Sequence, residues 1–196
     1  MARAESIGGR QVSLAARRRA RFNLILVCAA FVLPLGIAVW LYATGWRPAA
    51  TGNHGELVDP PLLLAELALQ DHGGHALPPE LLADGSWTLL VVGSGACDVV
   101  CRSSLLDSRQ VRLALGKDRL RVRRLLLVDQ PPDSGLVSEH PDLTVARLPA
   151  GSRLTGPAAL WVVDPVGNAM LRFPQGFDAK GLLADMRRLL KLSHIG

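Results

Sequence analysis

With 196 residues, 49% of them apolar, the chain has material for one domain with a core of its own plus an appendage, and too little for two full-sized domains. Its formal charge of +5 sits at the start: six of the 22 Lys and Arg lie in residues 1–21 against a single acid, Glu5, and the remainder carries equal numbers of both signs. A neutral remainder offers no basic surface, so the charge gives no support to nucleic-acid binding.

The first 21 residues read as a basic tail. Residues 22–44 open with FNLILVCAAFVLPLGIAVWLYA, in which Asn23 is the one strongly polar side chain. At about 1.5 Å per residue this run covers roughly 33 Å, enough for a bilayer core, and predicts a transmembrane helix. Pro34 and Gly36 are tolerated in lipid, and Trp40, Tyr42 and Trp46 suit an interfacial belt. A cleaved signal peptide would have a shorter apolar region, about 7 to 15 residues, before a small-x-small site. The length therefore favours an uncleaved anchor. Arg3, Arg10, Arg17, Arg18, Arg19 and Arg21 before the span, against Arg47 just after it, put the N-terminus in the cytoplasm and the rest outside, in the periplasm of a Gram-negative cell. Cys28, inside the span, reads as a small packing residue.

Residues 45–56 include RPAATGNHGE, a tether without periodicity, and 57–196 form the exported domain. LLLAELAL predicts a strand or short hairpin, followed by a helical turn at 79–83. WTLLVV, Trp87–Val92, is a continuous apolar run suited to a central strand buried on both faces. A helix is expected from Val99 to Leu115, stopped at Gly116. VRRLLLVD, ending at Asp129, gives the next buried strand, with Arg119, Arg121, Arg123 and Arg124 as a solvated lead-in. LTVARL at 143–148 is a third strand. ALWVVDPVGNAMLRF reads as a hairpin turning at Asp164–Asn168, and Asp178 caps a final helix with Leu182, Leu183, Met186, Leu189 and Leu190 on one face. The order β-α-β then β-β-α is an α/β plan of the thioredoxin-like kind.

Cys97 and Cys101 fall where the first buried strand hands over to a helix. Placed at i and i+4 on a first helical turn, their sulfurs would share a face and lie within reach of the periplasm. The GSGA turn and the positive helix end would stabilise thiolate, lowering the thiol pKa from about 8.5. Thiolate serves either as the nucleophile of disulfide exchange or as a soft copper donor. A permanent disulfide is the third reading, although so short a loop removes little chain entropy.

The stretch DHGGHALPPELLADGSWTLLVVGSGACDVVC, with LLLVD and LWVVDPVGN, resembles the Sco/SenC family of membrane-anchored, thioredoxin-like proteins that help assemble the copper site of cytochrome c oxidase. The resemblance runs over most of 57–192. It implies that Cys97 and Cys101 bind copper or reduce the cysteines of an oxidase subunit. The family's third copper ligand, a histidine, falls near Gly156, where this chain has none; His140, in SEHPDL, is the substitute considered, in what reads as a surface loop. His54, His72, His75 and His194 read as solvated, and Met170 as core. Pro157, in TGPAALWVV, resembles the cis-proline that thioredoxin-like oxidoreductases place opposite the dithiol. The function expected is a membrane-anchored oxidase assembly factor working by disulfide exchange or copper delivery. The alternatives are a general periplasmic thiol-disulfide oxidoreductase acting on other protein thiols, as in cytochrome c maturation, and a non-catalytic scaffold.

Overall fold

The computed structural model describes residues 14–45, 52–78, 81, 84–148, 150–152, 154 and 158–193. The chain divides into two units, 1–50 and 51–196. In the first, helix α1 runs Leu14–Ala43 with Pro34 inside it. It therefore begins before residue 22, and Arg17, Arg18, Arg19 and Arg21 form its first turns instead of a separate tail. By length and composition α1 can cross a membrane, as an anchor or a signal sequence does. Trp46 and Arg47 lie outside the described residues.

The second unit is built on one six-stranded sheet. Its strands are β1 (Glu56–Leu63), β2 (Trp87–Val92), β3 (Val122–Val128), β4 (Leu143–Arg147), β5 (Ala158–Val163) and β6 (Asn168–Pro174), in spatial order β1-β6-β5-β2-β3-β4. β2 and β3 pair in parallel, as do β3 and β4, while β5 and β6 pair antiparallel with their neighbours. The crossover from β2 to β3 carries helix α2 (Val99–Ala114); α3 (Ser134–Glu139) joins β3 to β4, and α4 (Ala179–Leu192) follows β6. This is the thioredoxin-like α/β plan expected from the sequence.

Alternation along the buried strands sorts the core into two layers. Leu89, Val91, Leu126, Val128, Leu160 and Val162 face α2 and α4, where Leu105, Val111, Leu182, Met186 and Leu190 meet them. Leu90, Leu125, Leu127, Trp161 and Val163 face the opposite side. Among the described residues, Leu62, Leu64, Leu69 and Leu154 pack on that side. Each such leucine, taken fully out of water, contributes about 1.5–3 kcal/mol.

Three N-caps set the helix starts: Asp98, Asp133 and Asp178 each accept a hydrogen bond from a backbone N–H of the first turn. Gly116, at φ 62°, ends α2 as expected, and a 3-10 turn over Gly116–Arg121 then leads into β3. The hairpin between β5 and β6 is fixed by Asp164, whose carboxylate accepts from the backbone N–H of Val166 and of Asn168.

Four expectations need correction. The strand expected over LLLAELAL starts earlier: β1 takes ELVDPPLL at the sheet edge, and Leu64–Leu67 is a 3-10 turn. An edge strand needs half of its N–H groups for the sheet, so Pro60 and Pro61 fit where a central strand would refuse them. The tether does not stay free to residue 56, because His54 and Gly55 donate to Asp185 on α4. Arg124 is no solvated lead-in residue but 1% exposed, and Arg123 pairs with Asp84. His140 caps the end of α3 and is buried, not carried on a surface loop. Of the helical turn at 79–83, only residue 81 is described.

Candidate functional site: the Cys97–Cys101 pair

The chain leaves β2 at Val92 and continues one residue in sheet geometry, with Gly93 N–H donating to Leu127 O at 2.9 Å. It then turns through Gly95, at φ 60°, and Cys97, at φ 79°. Left-handed backbone at Gly95 is what glycine permits freely; at Cys97 it is uncommon for a side-chain-bearing residue, and the surroundings hold it there. Ser94 O accepts from Cys97 N–H at 3.1 Å, and Gly95 O accepts from Gln130 N–H at 3.0 Å, so the turn is tied both to itself and to the end of β3.

Cys97 and Cys101 are joined, with Cα atoms 5.2 Å apart. They do not meet as two residues of one helical turn. Cys97 lies outside α2, before the N-cap Asp98, and Cys101 is the third residue inside. The signal was Asp98, a far better N-cap than a cysteine. Asp98 Oδ1 accepts from Cys101 N–H at 2.9 Å. A carboxylate thus already occupies the helix-end donor expected to favour a thiolate, which opposes negative charge on the Cys101 sulfur. The pair is also more enclosed than expected: Cys97 is 5% and Cys101 2% exposed. Beside it, Val99 is 83% exposed and presents an apolar rim.

Arg102, next to Cys101, pairs with Asp133 on the neighbouring loop. The Leu136 N–H and the Arg102 guanidinium hold the Asp133 carboxyl below its ordinary range.

His140 is not brought to the sulfurs. It lies against Arg124, with both terminal guanidinium nitrogens 3.5 Å from its Nδ1. Arg124 in turn donates to Leu105 O, Ser108 Oγ and Asp142 Oδ1, pinning α2 to β3. Burial, with Arg124 and Arg109 nearby, holds the His140 imidazole below its ordinary pKa of 6.5. Pro157 lies outside the described residues, as do Gly156 and His194. His54 and His75 bond to Asp185 and Asp71. Met170 is partly buried against the core.

Among the described residues no group of three or more His, Cys, Asp and Glu is placed to hold a metal ion. The chemistry assembled is that of two sulfurs in a turn, able to exist as a disulfide or a dithiol.

Comparison with solved structures places this fold beside Sco proteins. The solution structure of apo Sco1 from Thermus thermophilus matches at TM-score 0.53 and 19% identity, over 72% of this chain and 99% of that one. Yeast Sco1 with copper bound matches at TM-score 0.50 and 16% identity, over 76% of this chain and 96% of that one. At such identity the likeness is one of fold. No curated protein sequence matches the chain. The family model described as transmembrane-like, thioredoxin-like, C-terminal domain matches residues 87–193, more than half of the chain, with the cysteine pair inside the match. The chain belongs to this transmembrane-like, thioredoxin-like family.

Proposed function

We propose that the protein is a membrane-anchored, Sco-like assembly factor for cytochrome c oxidase. In this reading α1 is its uncleaved anchor, the N-terminus is cytoplasmic, the domain lies in the periplasm, and Cys97 and Cys101 exchange disulfides with cysteines of an oxidase subunit. One observation carries the chemistry: the two sulfurs are joined at the junction of β2 and α2. The Sco-like fold and the arginine-led apolar helix support the rest.

In the reduced form the Cys97 thiolate attacks one sulfur of a partner disulfide. That disulfide breaks and a mixed disulfide forms, which Cys101 then resolves by attacking Cys97 Sγ. The partner gains two electrons and two protons; the protein returns to the joined state. Cys97 takes the first role because it lies outside the helix and is the more exposed of the two.

Copper would be cargo. The described residues do not fit the family's three-donor site, since no imidazole joins the sulfurs and His140 is held by Arg124. No step is routed through the metal.

The burial of the pair favours one second reading, a scaffold whose disulfide never opens. Deleting the gene and measuring the copper content of the oxidase tests the first reading. Copper should fall, returning with the wild-type chain and not with Cys97→Ser. Unchanged copper after deletion would remove the oxidase role, and full rescue by Cys97→Ser would favour the scaffold.

A further inference from the structure

By count the charges of the domain balance, yet the fold does not spread them evenly. The 3-10 turn Gly116–Arg121 and the last turn of α4 lie side by side, because Arg121 donates to Leu190 O at 3.1 Å and to Ser193 O at 2.8 Å. Arg187 joins them to the end of α2 by donating to Ala114 O at 3.2 Å. Lys117 and Arg119 on the turn are exposed, as are Arg187, Arg188 and Lys191 on α4. None of these cations forms an ion pair with a carboxylate of another described residue. The acid among them, Asp118, is held by Arg121 at 3.7 Å. Leu120, on the same turn, and Leu192, at the end of α4, are 79% and 70% exposed.

This edge lies at the opposite end of the sheet from the cysteines. The turn leads into Val122, which pairs with Trp87 at the start of β2, whereas the cysteine turn follows the end of that strand. At about 3.3 Å per residue, the length of β3 puts roughly 20 Å between the two ends. The tether leaves the domain at the basic edge, where Arg188 donates to Gly52 O at 3.2 Å. In the anchor reading, residues 44–51 are all that separates Gly52 from the end of α1, and a chain of that length reaches at most roughly 30 Å. A surface kept so near the bilayer needs little affinity of its own to engage it.

Cations without carboxylate partners, set around exposed leucines, match anionic lipid: phosphate headgroups take the guanidinium and ammonium groups, and the leucines enter the headgroup boundary. We infer that this edge docks the domain on the bilayer that carries its anchor, through anionic phospholipid. An acidic protein would meet the charges equally well; the tether exit beside Arg188 favours lipid. The inference rests on the anchor reading above and adds an orientation to it, with the Cys97–Cys101 turn facing away from the lipid.

The test uses the full chain with Cys28→Ser and Leu120→Cys, carrying a bimane label at residue 120. It is inserted into vesicles of phosphatidylcholine, alone or mixed equally with phosphatidylglycerol, that contain a headgroup nitroxide lipid as quencher. Quenching should be about threefold greater in the anionic vesicles and return to the neutral level in ~1 M salt, where the Debye length shrinks to about 3 Å. Each cation near such a surface is worth about fivefold in binding, so removing three costs about a hundredfold. Lys117→Gln, Arg119→Gln and Lys191→Gln together should therefore abolish the difference. The same label on Ser134→Cys, next to the Asp133 that pairs with Arg102 at the cysteine end, should show no gain in anionic vesicles. Equal quenching at residue 120 in both vesicle types, a difference kept in the triple variant, or an equal gain at residue 134 would overturn the inference and leave the anchor intact. Soluble polyglutamate that shifts the bimane emission in neutral vesicles as far as phosphatidylglycerol does would also overturn it and make the edge a site for acidic polypeptide. A chain that fails to float with neutral vesicles removes the anchor first and the inference with it.

Discussion

Gly93 lies so close to Cys101 that a β-carbon on it would stand 2.5 Å from Cys101 Sγ and 2.9 Å from its Cβ, with Val128 Cγ1 at 3.1 Å. The residue that follows β2 is thus a glycine because Cys101, in the first turn of α2, packs directly over its backbone. A Gly93→Ala variant must push α2 outward or rotate the cysteine, at about 1–3 kcal/mol, as for other overpacked cores. Urea unfolding of the oxidised protein should show that loss. An unchanged midpoint would mean that the cysteine has room to move, and the closeness would then carry no constraint.

Asp98 governs the other side of the pair. Its carboxylate accepts from Cys101 N–H, so Asp98→Ala should lose the cap and cost about 1 kcal/mol. Asp98→Asn keeps an acceptor and removes the charge. The reduced Asp98→Asn protein should therefore react with an alkylating reagent faster than wild type at neutral pH, by roughly threefold, since only thiolate reacts. Equal rates would show that Asp98 is a cap alone.

The sheet and the last helix were legible because their information is local. Leu89 to Val91 alternate between two core layers, and Asp178 stands directly before its apolar stripe. The position of the cysteines in the chain and the helix start at Val99 were equally legible, but the cysteine backbone was not: the two residues were expected on one helical turn, whereas Cys97 stands before the N-cap Asp98. Arg124 escaped for another reason. Its basic neighbours suggested solvent, while the groups that bury it, His140 and Asp142, come 16 and 18 residues later from beyond α3. Nothing local signals a partner that the fold supplies.

That buried group makes stability depend on acid. His140 faces Arg124 and Arg109, which disfavour its protonation, and Asp142 and Glu139, which oppose them less; burial is the largest cause of its lowered pKa. Because the folded value lies below the ordinary one of 6.5, protons bind the unfolded chain more readily. His140 therefore gives its full stabilisation above about pH 6.5, and loses it as the pH falls through the folded value. Between about pH 7 and pH 5 the wild type should lose on the order of 1 kcal/mol that His140→Gln does not lose. Denaturant titrations of both proteins at the two pH values check this; parallel losses would place the acid sensitivity in the carboxylates instead.

Asp185 ties the beginning of the domain to its end. The residue is 2% exposed on α4, and its carboxylate accepts from His54 N–H at 2.8 Å, from Gly55 N–H at 2.9 Å and from the His54 ring at 3.1 Å. Small residues let the segment lie this flat: a β-carbon on Gly55 would stand 2.6 Å from the Phe173 ring, and one on Gly181 would stand 2.9 Å from His54 Cβ. Asp185→Ala strands two backbone donors that have no other acceptor among the described residues and should cost about 2–4 kcal/mol. Asp185→Asn, which keeps one acceptor oxygen, should cost less. Hydrogen exchange separates this from a general loosening of α4. The His54 and Gly55 amides should lose protection in Asp185→Ala far more than those of Leu89 to Val91 in the central strand, whereas an even loss across the domain would show that Asp185 supports the fold and not the strap.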